Sequence, residues 1–146
     1  MVKRRNFLLW VVMAALTVTI AACSSAVVEE ELMGSELIKN SDGYVDISAE
    51  QLNDLMKTKD FTLVNVHIPY AGDIPNTDQS IAYNDLDPHL DLLPADKDTT
   101  VVLYCRSGNM STQAARALVG LGYTNVMEVD GGMNAWQEAG YDLLIE

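Results

Sequence analysis

The chain has 146 residues, 49% of them hydrophobic, and a formal net charge of -12 at pH 7. This length suits one compact domain. The acidic balance excludes the basic surface that nucleic-acid binding requires. Cations are scarce, and Arg106 and Arg116 are the only arginines after residue 5.

The amino-terminal 22 residues have the layout of an export signal. A basic start at residues 3–5 precedes residues 7–22, which carry no charge. The segment Ile20-Ala21-Ala22-Cys23 then resembles the lipobox of bacterial lipoproteins. That resemblance implies a lipid-modified Cys23 as the first mature residue and an extracytoplasmic location at the cell membrane, where stable anchoring takes more than one acyl chain. The alternative is an uncleaved anchor helix that extends to Val28.

Residues 23–43 are predicted to form a flexible acidic tether. They contain the run Glu29-Glu30-Glu31 and several turn-forming residues. The folded domain is predicted to follow at residues 44–146.

The first half of this domain begins with alternating residues 44–47, which predict a short edge strand. A capping box from Ser48 to Gln51 opens a helix that reaches about residue 57. Residues 61–66 predict a buried strand, and the proline- and glycine-containing residues 67–80 a loop. A short strand or extended segment within 81–86 and a short helix over 87–93 complete this half, with Pro88 at the first helical position.

The second half begins with the apolar strand 101–104, which ends at Cys105. A helix over 111–121, a strand over 125–129, a tight turn at Asp130-Gly131-Gly132 and a helix over 133–139 follow. Since strands alternate with helices, the fold class is α/β, with a mainly parallel central sheet and helices on both faces.

Cys105 is the principal candidate for chemistry. A thiol at the carboxyl end of a buried strand lies where ligands bind in open α/β sheets. The amino end of the following helix favours negative charge, and therefore the thiolate over the thiol. Gly108 allows the left-handed turn that an anion-binding loop needs. The alternative is a buried, inert thiol, but the adjoining Arg106-Ser107-Gly108-Asn109 is polar and unlike a core sequence.

Four motifs together resemble a single-domain rhodanese. They are Leu-Tyr-Cys-Arg-Ser-Gly-Asn-Met-Ser, an alanine-rich helix with Leu-Gly-Tyr, Asp-Gly-Gly-Met, and the ending Ala-Trp-Gln-Glu-Ala-Gly. The resemblance covers residues 44–146 and implies a sulfurtransferase that carries sulfur as a persulfide on Cys105. It also implies a small sulfur donor, a thiol or cyanide acceptor, and no metal or organic cofactor. The acidic charge balance predicts no nucleic-acid partner. The substrate-binding loop would comprise Arg106, Ser107, Gly108, Asn109, Met110 and Ser111.

Two regions depart from the family pattern. Met110 stands where relatives usually carry arginine, so a dianion such as thiosulfate is expected to bind poorly. Asn65 and His67 replace the usual Asp and Arg of an Asp-Val-Arg motif. We expect Asn65 and His67 to hydrogen-bond the loop that follows. Asp73 would further discourage anionic donors if it faced the pocket.

Other functions remain possible from the sequence. A non-catalytic binding module is one, because the same fold supports several functions. A cysteine-based phosphatase or arsenate reductase is another, but a phosphatase needs arginine at position 111 to grip phosphoryl oxygens. That residue is Ser111, which we interpret as a loop residue or equally as the helix cap.

Overall fold

A five-stranded parallel sheet forms the centre of the computed structural model, which describes residues 37–145. The order across the sheet is β1-β5-β4-β2-β3, with β4 in the middle. The strands are β1 (Val45–Ile47), β2 (Thr62–Asn65), β3 (Gln79–Ser80), β4 (Val101–Tyr104) and β5 (Val126–Val129). The helices are α1 (Ala49–Leu55), α2 (Asn109–Gly120) and α3 (Gly132–Glu138), with 3-10 segments at Met56–Thr58 and Asp87–Leu92.

Two hydrophobic clusters cover the two faces of the sheet. Because side chains alternate along a strand, Val101 and Leu103 of β4 belong to the cluster that contains the buried residues of α2. Val102 and Tyr104 belong to the opposite cluster, with α1 and α3. The predicted α/β class, with a mainly parallel sheet covered on both faces, is confirmed.

Most of the predicted elements are confirmed. The capping box that opens α1 is formed by the Ser48 and Gln51 side chains. α2 begins at Asn109, two residues earlier than predicted. Residues 81–86, predicted as a short strand or an extended segment, contain no strand. The edge strand that pairs with β2 is instead β3, which lies immediately before them. Its two residues are polar and carry no apolar alternation that would have identified them.

Residues 37–43, which the sequence analysis assigned to the tether, contact the domain. Lys39 pairs with Val45 in an antiparallel bridge, and Asp42 forms an ion pair with Arg116 at 2.9 Å. The predicted signal peptide, Cys23 and the rest of the tether lie outside the described residues. Within residues 37–145, no helix has the length and apolarity needed to cross a membrane.

Candidate active site around Cys105

Cys105 lies directly after the central strand, on the face of the sheet that packs against α2. The alternation that turns Leu103 toward α2 does the same for Cys105, which belongs to the same buried cluster. Cys105 is 1% exposed. Its sulfur is therefore shielded from bulk water, and hydrogen bonds to the sulfur are strengthened by the low local dielectric.

Two donors reach the sulfur from the start of α2. The backbone N–H of Gly108 donates to Cys105 Sγ over 3.1 Å, and the Ser111 hydroxyl does so over 3.3 Å. Gly108 is the N-cap of α2 and has a φ of 92°, a left-handed conformation that glycine adopts without strain. The loop therefore presents hydrogen-bond donors and the positive end of a helix to the sulfur.

Ser111 is not the cap of this helix, so that interpretation was wrong. It lies inside the first turn of α2, fully buried, and its hydroxyl is also 3.0 Å from the Gly108 carbonyl oxygen. The cap position belongs to Gly108, whose left-handed conformation glycine adopts without strain. Ser111 thereby contacts the sulfur directly.

The remaining loop residues differ in exposure. Arg106, Ser107 and Asn109 are exposed. Met110 is half-buried and packs against the cluster that contains Cys105. The loop thus has a polar outer side with one cation and an apolar inner side.

The start of α3 fixes the backbone of the cysteine loop. Met133 N donates to the carbonyl oxygen of Cys105 at 2.9 Å, and Asn134 N donates to that of Arg106 at 3.0 Å. The two segments approach so closely that a Cβ on Gly132 would lie 2.1 Å from the Cys105 carbonyl oxygen. The second glycine of the Asp-Gly-Gly turn is therefore required by space.

Glu128 is a residue of the site that the sequence analysis missed. It is 2% exposed, and its Oε1 lies 2.5 Å from Ser111 Oγ. The pKa of Glu128 is raised to about 7, chiefly by burial, with the Ser111 hydrogen bond lowering it and the charges of Asp46 and Asp130 adding to the rise. A charged residue inside an otherwise apolar strand was the available signal.

The altered region at the end of β2 forms a separate polar network. Asn65 Nδ2 donates to the Gly72 carbonyl oxygen at 3.0 Å and to Asp73 Oδ1 at 2.9 Å. Asn65 Oδ1 accepts from His67 N at 2.9 Å. The expectation that Asn65 organises the following loop is confirmed.

Asp73 is held within this network by two tyrosines. Its carboxylate accepts from Tyr70 Oη at 2.9 Å and from Tyr104 Oη at 3.0 Å. Burial raises the pKa of the Tyr104 phenol, so the hydroxyl stays protonated and available as a donor. Because Tyr104 faces away from α2, these contacts hold the loop after β2 rather than the cysteine loop.

His67 lies close enough to Arg106 for their charges to interact. Burial, and then the charge of Arg106, lower the pKa of His67. The imidazole is therefore neutral at pH 7. Its Nδ1 is buried, with no hydrogen-bond partner among the described residues. The expectation that this side chain hydrogen-bonds the following loop is therefore wrong for Nδ1.

No group of three or more His, Cys, Asp or Glu side chains within residues 37–145 is arranged to hold a metal ion. A cysteine phosphatase would need an arginine at position 111, where this chain has the buried Ser111.

Comparisons with known proteins agree on one family. The model of the Rhodanese-like domain family matches residues 35–139. A protein named sulfurtransferase from Allochromatium vinosum is 34% identical over 103 residues, which cover 68% of this chain and 94% of the relative. The protein named thiosulfate sulfurtransferase GlpE of Pseudomonas syringae is 35% identical over 82 residues, covering 51% of this chain and 71% of the relative.

Solved structures agree with these sequence relationships. A rhodanese-related protein from Thermoplasma volcanium superimposes with a TM-score of 0.59 and 30% identity, covering 69% of this chain and 98% of that one. Some other curated relatives are much longer, and the chain covers as little as 11% of their length.

Proposed function

This chain belongs to the rhodanese-like domain family, and we propose that it is a sulfurtransferase carrying sulfane sulfur as a persulfide on Cys105. The observation that carries the proposal is the pair of donors on the sulfur, Gly108 N at 3.1 Å and Ser111 Oγ at 3.3 Å. An inert core cysteine has no need of a left-handed glycine and a buried hydroxyl directed at its sulfur. The same feature argues against a binding module that uses only the fold.

In the first step, the Cys105 thiolate attacks the outer sulfur of the donor. A new S–S bond forms, and the donor's own bond to that sulfur breaks, with the electron pair leaving on the departing group. Cys105 then carries a persulfide whose outer sulfur is negative. The first turn of a helix leaves N–H groups without partners inside the helix, so the start of α2 offers donors to that charge.

In the second step, an acceptor thiolate or cyanide attacks the outer sulfur. The bond between this sulfur and Cys105 Sγ breaks, and its electron pair returns to Cys105 as the thiolate. No oxidant or reductant is needed, because one S–S bond or its equivalent is exchanged for another in each step. Gly108 N and Ser111 Oγ are placed to donate to the returning thiolate.

We propose a donor of lower charge than thiosulfate, a persulfide of a small thiol or of a protein. Arg106 is the one cation of the loop, and it is exposed. Met110 adds apolar surface where an arginine would add a second cation. A dianion therefore gains little charge stabilisation beyond the backbone donors.

Mass spectrometry of the full-length chain tests the proposal. After exposure to glutathione persulfide or to thiosulfate, Cys105 should gain the mass of one sulfur, more completely with the first donor. Cys105→Ser is the matched control, since it keeps the size of the side chain and loses the nucleophile. If no donor loads the wild-type chain and Cys105→Ser changes no activity, the binding-module function replaces this one.

We propose further that the domain is exported and held at the outer side of the cell membrane by lipids on Cys23. The amino-terminal sequence supports this location, through its basic start, uncharged core and lipobox-like ending. Cys23→Ala should block processing or release the protein from the membrane fraction. Unchanged processing and attachment would instead favour the uncleaved helix.

A further inference from the structure

Glu128 is a carboxyl group in a position that the sheet reserves for core residues. It follows the alternation of β5, in which Val126 faces α2 and Met127 faces the opposite cluster. Its strand lies directly beside β4, with Glu128 paired to Leu103, two residues before Cys105. Burying a carboxylate without a cation is costly, and no basic side chain among the described residues forms an ion pair with it.

The Ser111 hydroxyl connects this carboxyl group to the sulfur. Ser111 Oγ lies 2.5 Å from Glu128 Oε1, 3.0 Å from the Gly108 carbonyl oxygen and 3.3 Å from Cys105 Sγ. A hydroxyl has a single proton to donate. When Glu128 and Cys105 are both ionised, that proton can serve only one of the two anions. The Gly108 carbonyl oxygen also accepts from Thr112 N at 2.9 Å, and the sulfur accepts from Gly108 N at 3.1 Å.

The protonation of Glu128 therefore determines what Ser111 can do for the sulfur. A protonated Glu128 donates to Ser111 Oγ, which frees the Ser111 proton for the Cys105 thiolate. An ionised Glu128 takes the Ser111 proton and turns the serine oxygen's lone pairs toward the sulfur, which favours the thiol. In each of these two states the buried site holds one negative charge, on Cys105 or on Glu128, and the Ser111 hydroxyl donates to it.

The charges around Glu128 favour its protonated form. Asp46 on β1 and Asp130 in the turn after β5 both raise its pKa, in addition to the effect of burial. From α2 the group facing it is Ser111. The basic residue of that helix, Arg116, is exposed and paired with Asp42.

We propose that Glu128 is a positioning residue that shares one proton with Cys105 through the Ser111 hydroxyl. The inference rests on the proposed role of Cys105 as the sulfur carrier. On activation the Cys105 S–H bond breaks and its proton passes to Ser111 Oγ, while the Ser111 proton passes to Glu128 Oε1. A carboxylate and a thiol become a carboxylic acid and a thiolate, and the charge of the site stays at -1.

The pH dependence of Cys105 alkylation by iodoacetamide tests this coupling on the full-length chain. In the wild type, the rate should rise with pH over a broad range, since the second ionisation works against the charge left by the first. Glu128→Gln removes that charge and keeps the size of the side chain. The pH profile of the variant should narrow to a single step, with a midpoint about one pH unit or more below that of the wild type. At a pH below the midpoints of both chains, the variant should therefore be alkylated roughly tenfold faster than the wild type.

Two further variants separate coupling from a general loosening of the site. Ser111→Ala should move the midpoint in the opposite direction, upward, because the thiolate loses the Ser111 donor. Asp130→Asn removes the same unit of charge nearby without touching Ser111, and it should shift the midpoint by only a few tenths of a unit. Identical pH profiles for folded wild-type and Glu128→Gln chains would overturn the proposal. That result would mean that residue 128 only holds Ser111 in place and that its charge does not affect the sulfur.

A measurement on the wild type decides the matter even if the variants fail to fold. The infrared band of a protonated carboxylic acid should weaken when Cys105 is alkylated at neutral pH, because the neutral thioether no longer competes with Glu128 for charge. A band that is insensitive to alkylation at every pH contradicts the coupling. Since neither readout uses a sulfur donor, failure of sulfur loading would contradict the proposed function alone.

Discussion

The sulfur of Cys105 is held by donors of two kinds, and each limits what can replace it. Gly108 contributes a backbone N–H, which persists after mutation only if the new residue tolerates a φ of 92°. Ser111 contributes a side-chain hydroxyl, which is also connected to Glu128. A substitution at Gly108 therefore acts through backbone strain, whereas a substitution at Ser111 acts through hydrogen bonding.

Met110→Arg should improve sulfur loading from thiosulfate. The stem of the arginine can keep the apolar contacts of Met110 while its guanidinium reaches the loop opening. One added charge-assisted contact corresponds to about a tenfold gain in kcat/KM for the dianion. The measurement is the initial rate of thiosulfate-dependent thiocyanate formation.

Met110→Gln is the matched control for this charge effect, because it adds polarity at similar length without a cation. It should leave thiosulfate use near the wild-type value. An uncharged sulfur donor should respond to neither variant. An equal gain with that donor would mean that the arginine opens the site rather than attracting the anion.

At the scale of the elements, α3 supports the site although it supplies no side chain to the sulfur. Its first N–H groups donate to the carbonyl oxygens of Cys105 and Arg106. These hydrogen bonds satisfy N–H donors that the start of a helix leaves free, and they fix the backbone of the cysteine loop. Trp136, buried and bonded through Nε1 to the Asp142 carbonyl oxygen at 3.0 Å, anchors the same helix in the opposite cluster.

Gly132→Ala should disconnect α3 from the cysteine loop. The added Cβ would meet the Cys105 carbonyl oxygen at 2.1 Å, at a residue whose φ is +55°. Overpacking against backbone together with left-handed strain predicts a loss of roughly 2–4 kcal/mol in the free energy of unfolding. Urea unfolding measures the loss, and the rate of Cys105 alkylation should change with it.

Gly120→Ala gives the comparison for Gly132→Ala. Gly120 ends α2 with no atom within 4 Å of an added Cβ and no positive φ. Alanine there should stabilise the chain by up to about 1 kcal/mol through helix propensity. Similar losses for both variants would show that the contact with Cys105 is not the cause.

The elements that could be predicted are those whose side chains carry a periodic pattern. β4, the cysteine loop and the two following helices have apolar spacing and glycine punctuation that determine their positions locally. β3 was not predicted, because Gln79 and Ser80 lie in the predicted loop and form a strand only by pairing with β2. Glu128 was missed for a related reason, since its role depends on Ser111, 17 residues away in sequence.

The altered Asn65 region illustrates the same limit within the loop after β2. That Asn65 would hydrogen-bond this loop was predictable from the loss of the usual charge pair. That Tyr104 would reach Asp73 across 31 residues was not, because both faces of β4 are apolar in sequence. Long-range polar contacts of this kind are determined by the packing of the sheet.

For the molecule as a whole, Glu128 makes the stability of the fold depend on pH. The chain carries 21 acidic and 9 basic residues, and most of the acidic groups within residues 37–145 are exposed. Glu128 differs because folding raises its pKa from 4.5 to about 7. Folding therefore favours its protonated form. The resulting stability is fully present below pH 4.5 and is lost as the pH rises through about 7.

The wild-type chain should thus lose stability between about pH 4.5 and 7 relative to Glu128→Gln, which has no charge to bury. The shift corresponds to a change on the order of 3 kcal/mol in the difference between the two free energies of unfolding. Urea unfolding of both chains across this range measures it, and the exposed acidic groups cancel in the comparison. A difference that stays constant with pH would contradict the raised pKa of Glu128. It would also mean that Glu128 does not exchange a proton near neutral pH, as the coupling to Cys105 requires.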